Sequence, residues 1–170
     1  FSQLFSVLGV NVQHLLKQLP FFILLSISVI SNSYADSTIS SRAALEKALA
    51  EHKGDVVYLD FWASWCGPCR KSFPWMNKIS ASYKQQGFSV ISVNLDANRD
   101  LAMQFLIETP ASFDVIYDPK GTIAKHFKIQ GMPSSMLIGR DGKIKSRHTG
   151  FFINKIPAYE QEIIQLLAIK

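Results

Sequence analysis

The chain has 170 residues, a formal net charge of +5 at pH 7, two cysteines and four histidines. That length suits one domain with its own core. The modest positive excess has no interleaved aromatic platform of the kind that binds nucleic acid, and the two cysteines lack the partners of a four-coordinate zinc site.

The first 35 residues differ from the rest. Lys17 is their only charged residue, Leu19 to Ile30 is mostly apolar, and Ser33-Tyr34-Ala35 places small residues at both positions a signal peptidase reads. This pattern predicts a secretory signal cut after Ala35. The apolar run is shorter than the ~20 residues of a spanning helix, and retention as an N-terminal anchor is the alternative. Residues 36–170 are then the folded domain, exported to a compartment where disulfides persist.

Within that domain, Ser40 or Ser41 caps a helix with Ala44, Leu45, Ala48 and Leu49 on its apolar face, ended by Gly54. Val56 to Trp62 is too apolar to alternate and predicts a buried central strand. From Cys69 to Gln86 the spacing of Phe73, Met76, Ile79, Ala81 and Tyr83 predicts a helix, interrupted by Pro74 and stopped at Gly87. Phe88 to Leu95 is the next strand, completing a βαβ unit whose strands run parallel. A helix over Asp100 to Ile107, a strand over Phe113 to Tyr117, a turn at Asp118-Pro119-Lys120-Gly121 and a helix over Thr122 to Phe127 follow. Ser135 to Ile138 and Ile144 to His148 form an antiparallel hairpin around Asp141-Gly142. Arg140, Lys143, Lys145, Arg147 and His148 read as a solvated strand face, and Asn154 as the cap of a last helix carrying Ile156, Tyr159, Ile163, Leu166 and Leu167. The fold class is α/β, a central mixed sheet with helices on both faces.

The chemistry lies in Cys66-Gly67-Pro68-Cys69, at the junction of the first strand and the following helix. A CxxC pair in that setting is a redox dithiol signature. Unsatisfied N–H groups and partial positive charge at a helix N-terminus favour a thiolate, the form that attacks disulfides. A purely structural bridge across so small a loop would constrain little of the unfolded chain. Asp60, inside the buried strand, is expected to have a raised pKa. It would then take the Cys69 proton during resolution.

Asp60-Phe61-Trp62-Ala63-Ser64-Trp65-Cys66-Gly67-Pro68-Cys69 resembles the active-site strand and helix start of the thioredoxin superfamily. Pro74, Gly131-Met132-Pro133-Ser134-Ser135 and Gly150 match further family features in order. The leader, Phe73-Pro74 and the helix/strand segment inserted between Ala97 and Phe127 resemble exported TlpA/ResA-type proteins. The resemblance implies a thioredoxin fold, with Cys66 as nucleophile, Cys69 as resolving thiol and a cis Pro133. Trp65, Gly67, Pro68, Met132 and Pro133 would form the substrate surface. Ser92 stands where the family usually places a lysine near the buried acid. The implied activity is reduction of protein disulfides in the periplasm, with disulfide oxidase or isomerase, or a non-enzymatic binding module, as alternatives. The implied redox group is the Cys66–Cys69 disulfide itself, without a metal or other cofactor. The implied partners are substrate proteins and a membrane thiol electron donor of the DsbD/CcdA type, with no nucleic acid, and with membrane contact only through an N-terminal anchor.

Overall fold

The computed structural model of the chain describes residues 36–169, so the expected signal segment lies outside the described residues. Five strands and five α-helices follow along it: α1 (Asp36–Glu51), β1 (Val56–Trp62), α2 (Gly67–Tyr83), β2 (Phe88–Asn94), α3 (Arg99–Glu108), β3 (Asp114–Tyr117), α4 (Thr122–His126), β4 (Ser134–Ile138), β5 (Ile144–Thr149) and α5 (Ile156–Leu167). Short 3-10 turns at Lys84–Gln86 and Ile153–Lys155 follow α2 and precede α5. The strands form one sheet in the order β3-β2-β1-β4-β5. β1, β2 and β3 run parallel, whereas β4 is antiparallel to β1 and β5 to β4.

The central position of β1 explains its composition: all seven of its residues are buried, which calls for a continuous apolar run. Successive side chains face opposite sides. Tyr58 and Trp62 pack under α2, α3 and α5 with Phe73, Met76, Phe105 and Ile163. Val57, Leu59 and Phe61 pack against Leu45 and Ala48 of α1 and Ile123 of α4. The inserted segment joins the first of these layers: Phe105 of α3 lies 4.7 Å from the Trp62 ring and 4.8 Å from Phe73, and Phe73 lies 4.8 Å from Trp62. Each such aromatic contact stabilises by about 0.5–1.5 kcal/mol beyond its burial. Gly87 ends the 3-10 turn after α2 in the left-handed region at φ 74°, a conformation cheap only for glycine.

Three local expectations need correction. α1 begins upstream of Ser41, and the Ser41 hydroxyl donates to the Tyr117 carbonyl at 2.8 Å instead of capping a helix. Asn154 lies in the 3-10 turn, and α5 begins after Lys155 with a proline in its first turn and no side-chain cap. Proline needs no hydrogen-bond partner there. The basic segment is not simply solvated. The Arg140 guanidinium donates to the carbonyls of Gly54, Gln86, Leu167 and Ile169, and Arg147 to that of Phe127. Lys145 pairs with Asp141, and His148 with Glu162.

Candidate active site

The site forms where β1 delivers the chain into α2. The Leu95 amide bonds the Trp62 carbonyl at 2.9 Å, and the Cys66 amide bonds that of Ala63 at 3.1 Å. Just beyond β2, the buried Asp96 carboxylate accepts the Ser64 amide and hydroxyl, both at 2.8 Å, and the Asn94 side-chain amide at 2.7 Å. Asp96 thus holds the loop ahead of the cysteines. Sequence reasoning missed this role, ending the strand at Leu95 and giving Asp96 no task. The signal was a short polar side chain on each side of Leu95, Asn94 and Asp96, the type that bonds local backbone.

Cys66 and Cys69 are joined in a disulfide with their Cα atoms 5.3 Å apart. Cys69 is fully buried and Cys66 nearly so, at 4 % exposure. Cys66 is the N-cap of α2, and its sulfur accepts the Cys69 amide at 3.3 Å. No acidic residue occupies the first turn, so nothing there offsets the partial positive charge of the helix end. On reduction the same amide and helix end favour thiolate at Cys66. Gly67 and Pro68 are exposed in that first turn, beside Trp65, which is 71 % exposed. Trp62, by contrast, is wholly core.

Asp60 is buried on the β1 face shared with Tyr58 and Trp62, the face that α2 and Cys69 cover. Its Oδ2 has no hydrogen-bond partner. Burial holds its carboxyl well above the usual carboxylate range. Burial, and secondarily the Asp60 charge, raises the Tyr58 phenol in turn. Ser92 pairs with Asp60 in register but directs its hydroxyl elsewhere, accepting from Trp62 Nε1 at 3.2 Å and donating to the Asp114 carbonyl at 3.1 Å.

The antiparallel pairing of β4 with β1 brings the loop before β4 to the same end of the sheet. There the Met132–Pro133 peptide bond is cis. The Gly150 amide holds the Pro133 carbonyl at 2.8 Å, and Ser134 Oγ donates to the Gly131 carbonyl at 2.7 Å. Gly150 has φ 81°, and a Cβ there would meet the Phe152 ring at 3.0 Å. Met132 is half-buried, packed against the cluster that contains both cysteines. Phe152 and Ile153 are exposed just beyond Gly150. No group of three metal-ligating side chains occurs among the described residues.

The mixed five-stranded sheet, the helix-capping CxxC disulfide and the cis-proline loop together define a thioredoxin-superfamily protein. The chain belongs to the Redoxin family, whose sequence profile matches residues 41–163. Within the superfamily it is TlpA/ResA-like. It is 35 % identical over 96 residues to the thiol-disulfide oxidoreductase ResA of Bacillus thuringiensis subsp. konkukian, covering 56 % of each chain. It is 32 % identical over 116 residues to ResA of Oceanobacillus iheyensis, covering 68 % of this chain and 60 % of that one. The chain therefore spans somewhat over half the length of these curated relatives. Among solved structures, one from Chlorobium tepidum assigned as a thiol:disulfide interchange protein DsbE superposes with a TM-score of 0.69 at 52 % identity. That match covers 71 % of this chain and 85 % of the other.

Proposed function

We propose that this chain is an exported thiol–disulfide oxidoreductase that reduces disulfides in substrate proteins. The carrying observation is the Cys66–Cys69 disulfide at the N-terminus of α2, on the β1 face that also buries the unpartnered Asp60 carboxyl. In the reduced protein the Cys66 thiolate attacks one sulfur of a substrate disulfide, forming a mixed disulfide and expelling one substrate thiolate. Cys69 gives its proton to Asp60 and attacks Cys66 Sγ. The intramolecular disulfide closes, the second substrate thiolate leaves, and two electrons have passed to the substrate. An acid with a raised pKa is suited to that proton transfer near neutral pH.

Trp65, Gly67, Pro68, Met132 and Pro133 form the substrate surface. The Met132 backbone pairs with an extended segment, so recognition is largely main-chain and tolerant of sequence. The cysteine pair is the only redox group the reaction needs, with no metal or further cofactor. Outside the cytoplasm the spent disulfide is reduced again by a membrane thiol donor of the DsbD/CcdA type. The domain itself uses neither nucleic acid nor membrane, apart from an N-terminal anchor where the leader is retained. The names carried by the relatives, thiol-disulfide oxidoreductase and thiol:disulfide interchange protein, support the reaction class.

Direction follows from potential rather than fold. The test is the equilibrium reduction potential of Cys66–Cys69, titrated through tryptophan fluorescence. A value near the about −270 mV of thioredoxin supports a reductase, and one near the about −120 mV of DsbA would make the chain an oxidase.

A further inference from the structure

Asp60 must be ionised before it can take the Cys69 proton, yet it is 1 % exposed and burial favours its protonated form, so its own proton needs a route to solvent before resolution. Strand register supplies an exit. Asp60 of β1 is paired directly with Ser135 of β4, and Ser135 directly with His148 of β5. Directly paired residues share a face, with Cβ atoms about 4.5–5.5 Å apart. The three side chains therefore form one polar row running from the centre of the sheet to its edge, beneath α5.

The hydrogen-bonding state of each member suits it to pass a proton outward. Asp60 Oδ2 and His148 Nδ1 are the two buried side-chain polar atoms without a partner among the described residues. Ser135 stands between them. Its oxygen accepts the Tyr58 hydroxyl at 2.7 Å, leaving its own hydrogen free to donate. His148 Nε2 lies 3.1 Å from a Glu162 carboxylate oxygen. A carboxylate only accepts, so in the neutral ring Nε2 carries the hydrogen and Nδ1 presents a lone pair to the interior. Glu162 is held by the Ser146 hydroxyl at 2.7 Å, and its side chain is 38 % exposed. The groups facing His148 are Glu162 and Tyr159 of α5, the latter ring 5.0 Å away, together with the Asp60 and Tyr58 side of the row. No lysine or arginine is among these contacts.

We propose that Asp60, Ser135, His148 and Glu162 form a proton relay linking the buried acid of the redox site to solvent at the β5 edge. This rests on the reading given under Proposed function. The Asp60 proton passes to the Ser135 oxygen as the Ser135 hydrogen moves on to His148 Nδ1. His148 then releases its Nε2 hydrogen to Glu162, which exchanges with water. Ser135 Oγ bonds neither Asp60 Oδ2 nor His148 Nδ1 in this structure, so each transfer requires the paired side chains to close on one another or a water to bridge them. Charge and proton count balance at each step, and no electrons move. Ser135, His148 and Glu162 act through Asp60 and touch no substrate.

The test is single-turnover reduction of a protein disulfide by the reduced full chain in dilute buffer, following decay of the Cys66 mixed disulfide from pH 5.5 to 9. His148→Ala and Glu162→Gln should each slow that decay about tenfold, a modest share of what general acid–base groups supply. Imidazole should restore His148→Ala in proportion to its neutral fraction but leave Asp60→Asn slow. Adding His148→Ala to Asp60→Asn should slow it no further. If the variants match the wild type across pH, or if their effects multiply with Asp60→Asn, the relay is overturned. Glu162→Gln, at a part-exposed side chain, decides between these outcomes even where His148→Ala does not fold. If the wild type itself leaves the substrate disulfide intact, the reductase reading falls and the relay with it. Turnover by the wild type with unaffected variants removes the relay alone.

Discussion

Asp60 is a residue costly to the fold at the site proposed to use it. Its Oδ2 is buried without a partner, and burial alone raises its carboxyl. The unfolded chain releases this proton near pH 3.9, while the folded chain holds it to higher pH. Between those two values the native state binds more protons, so stability declines as pH rises through the window and stays reduced above it. Below the unfolded value both states are protonated and the penalty vanishes. Asp60→Asn, close in shape to the protonated acid, should therefore stabilise the oxidised protein at pH 8 by about 1–3 kcal/mol, the cost of a buried unsatisfied polar group. The gain should fade as pH falls toward 4. Thermal melts at a series of pH values decide it: a gain independent of pH would mean that Asp60 is not titrating in the fold.

At the scale of elements, α4 shows what holds a segment too short to stand alone. Five residues are far below the length at which an isolated helix is stable. The buried Asp118 carboxylate supplies what is missing, accepting the Thr122, Ile123 and Ala124 amides and the Thr122 hydroxyl between 2.8 and 3.1 Å. Asp118→Ala should cost about 2–3 kcal/mol, since it removes a charged cap and leaves buried amides unpaired. Urea denaturation should show a lower midpoint at unchanged slope. A loss below 0.5 kcal/mol, at the low end for a cap, would mean that the turn finds other acceptors. Sequence reasoning placed this turn and helix but assigned Asp118 no task. Strand β1 was legible because burial on both faces leaves an unbroken apolar run, and the CxxC because its geometry is local. Ser41, bonding 76 residues away to Tyr117, leaves no local pattern. The Met132–Pro133 loop could be joined to the cysteines only through family resemblance, because Met132 reaches their cluster by β4 folding back beside β1. The row from Asp60 to His148 needs strand register, which composition does not carry.

For the whole molecule, chemistry and anchorage occupy opposite ends of the sheet. The cysteines follow the C-terminal end of β1, the end where parallel sheets place their ligands. At the other end, Arg140 gathers carbonyls from segments far apart in sequence. Nη1 donates to Gly54 at 2.8 Å, Nη2 to Gln86 at 2.9 Å and to Leu167 at 3.4 Å, and Nε to Ile169 at 3.1 Å. These carbonyls lie at or just beyond the C-terminal ends of α1, of the turn after α2, and of α5, where helices leave carbonyls unpaired. A planar fork of five donors reaches several acceptors at once, whereas a lysine ammonium presents a single point on a flexible stem. Arg140→Ala should therefore destabilise the fold by about 1–3 kcal/mol, with Arg140→Lys recovering less than half, given the worth of hydrogen bonds from a charged group. The Cys66–Cys69 potential should stay at the wild-type value, because the clamp touches nothing at the redox end. Chemical denaturation and a redox titration on the same preparations check both parts. A potential that moved with Arg140 would show the two ends coupled through β1, and full recovery by lysine would show that charge, not the fork, holds them.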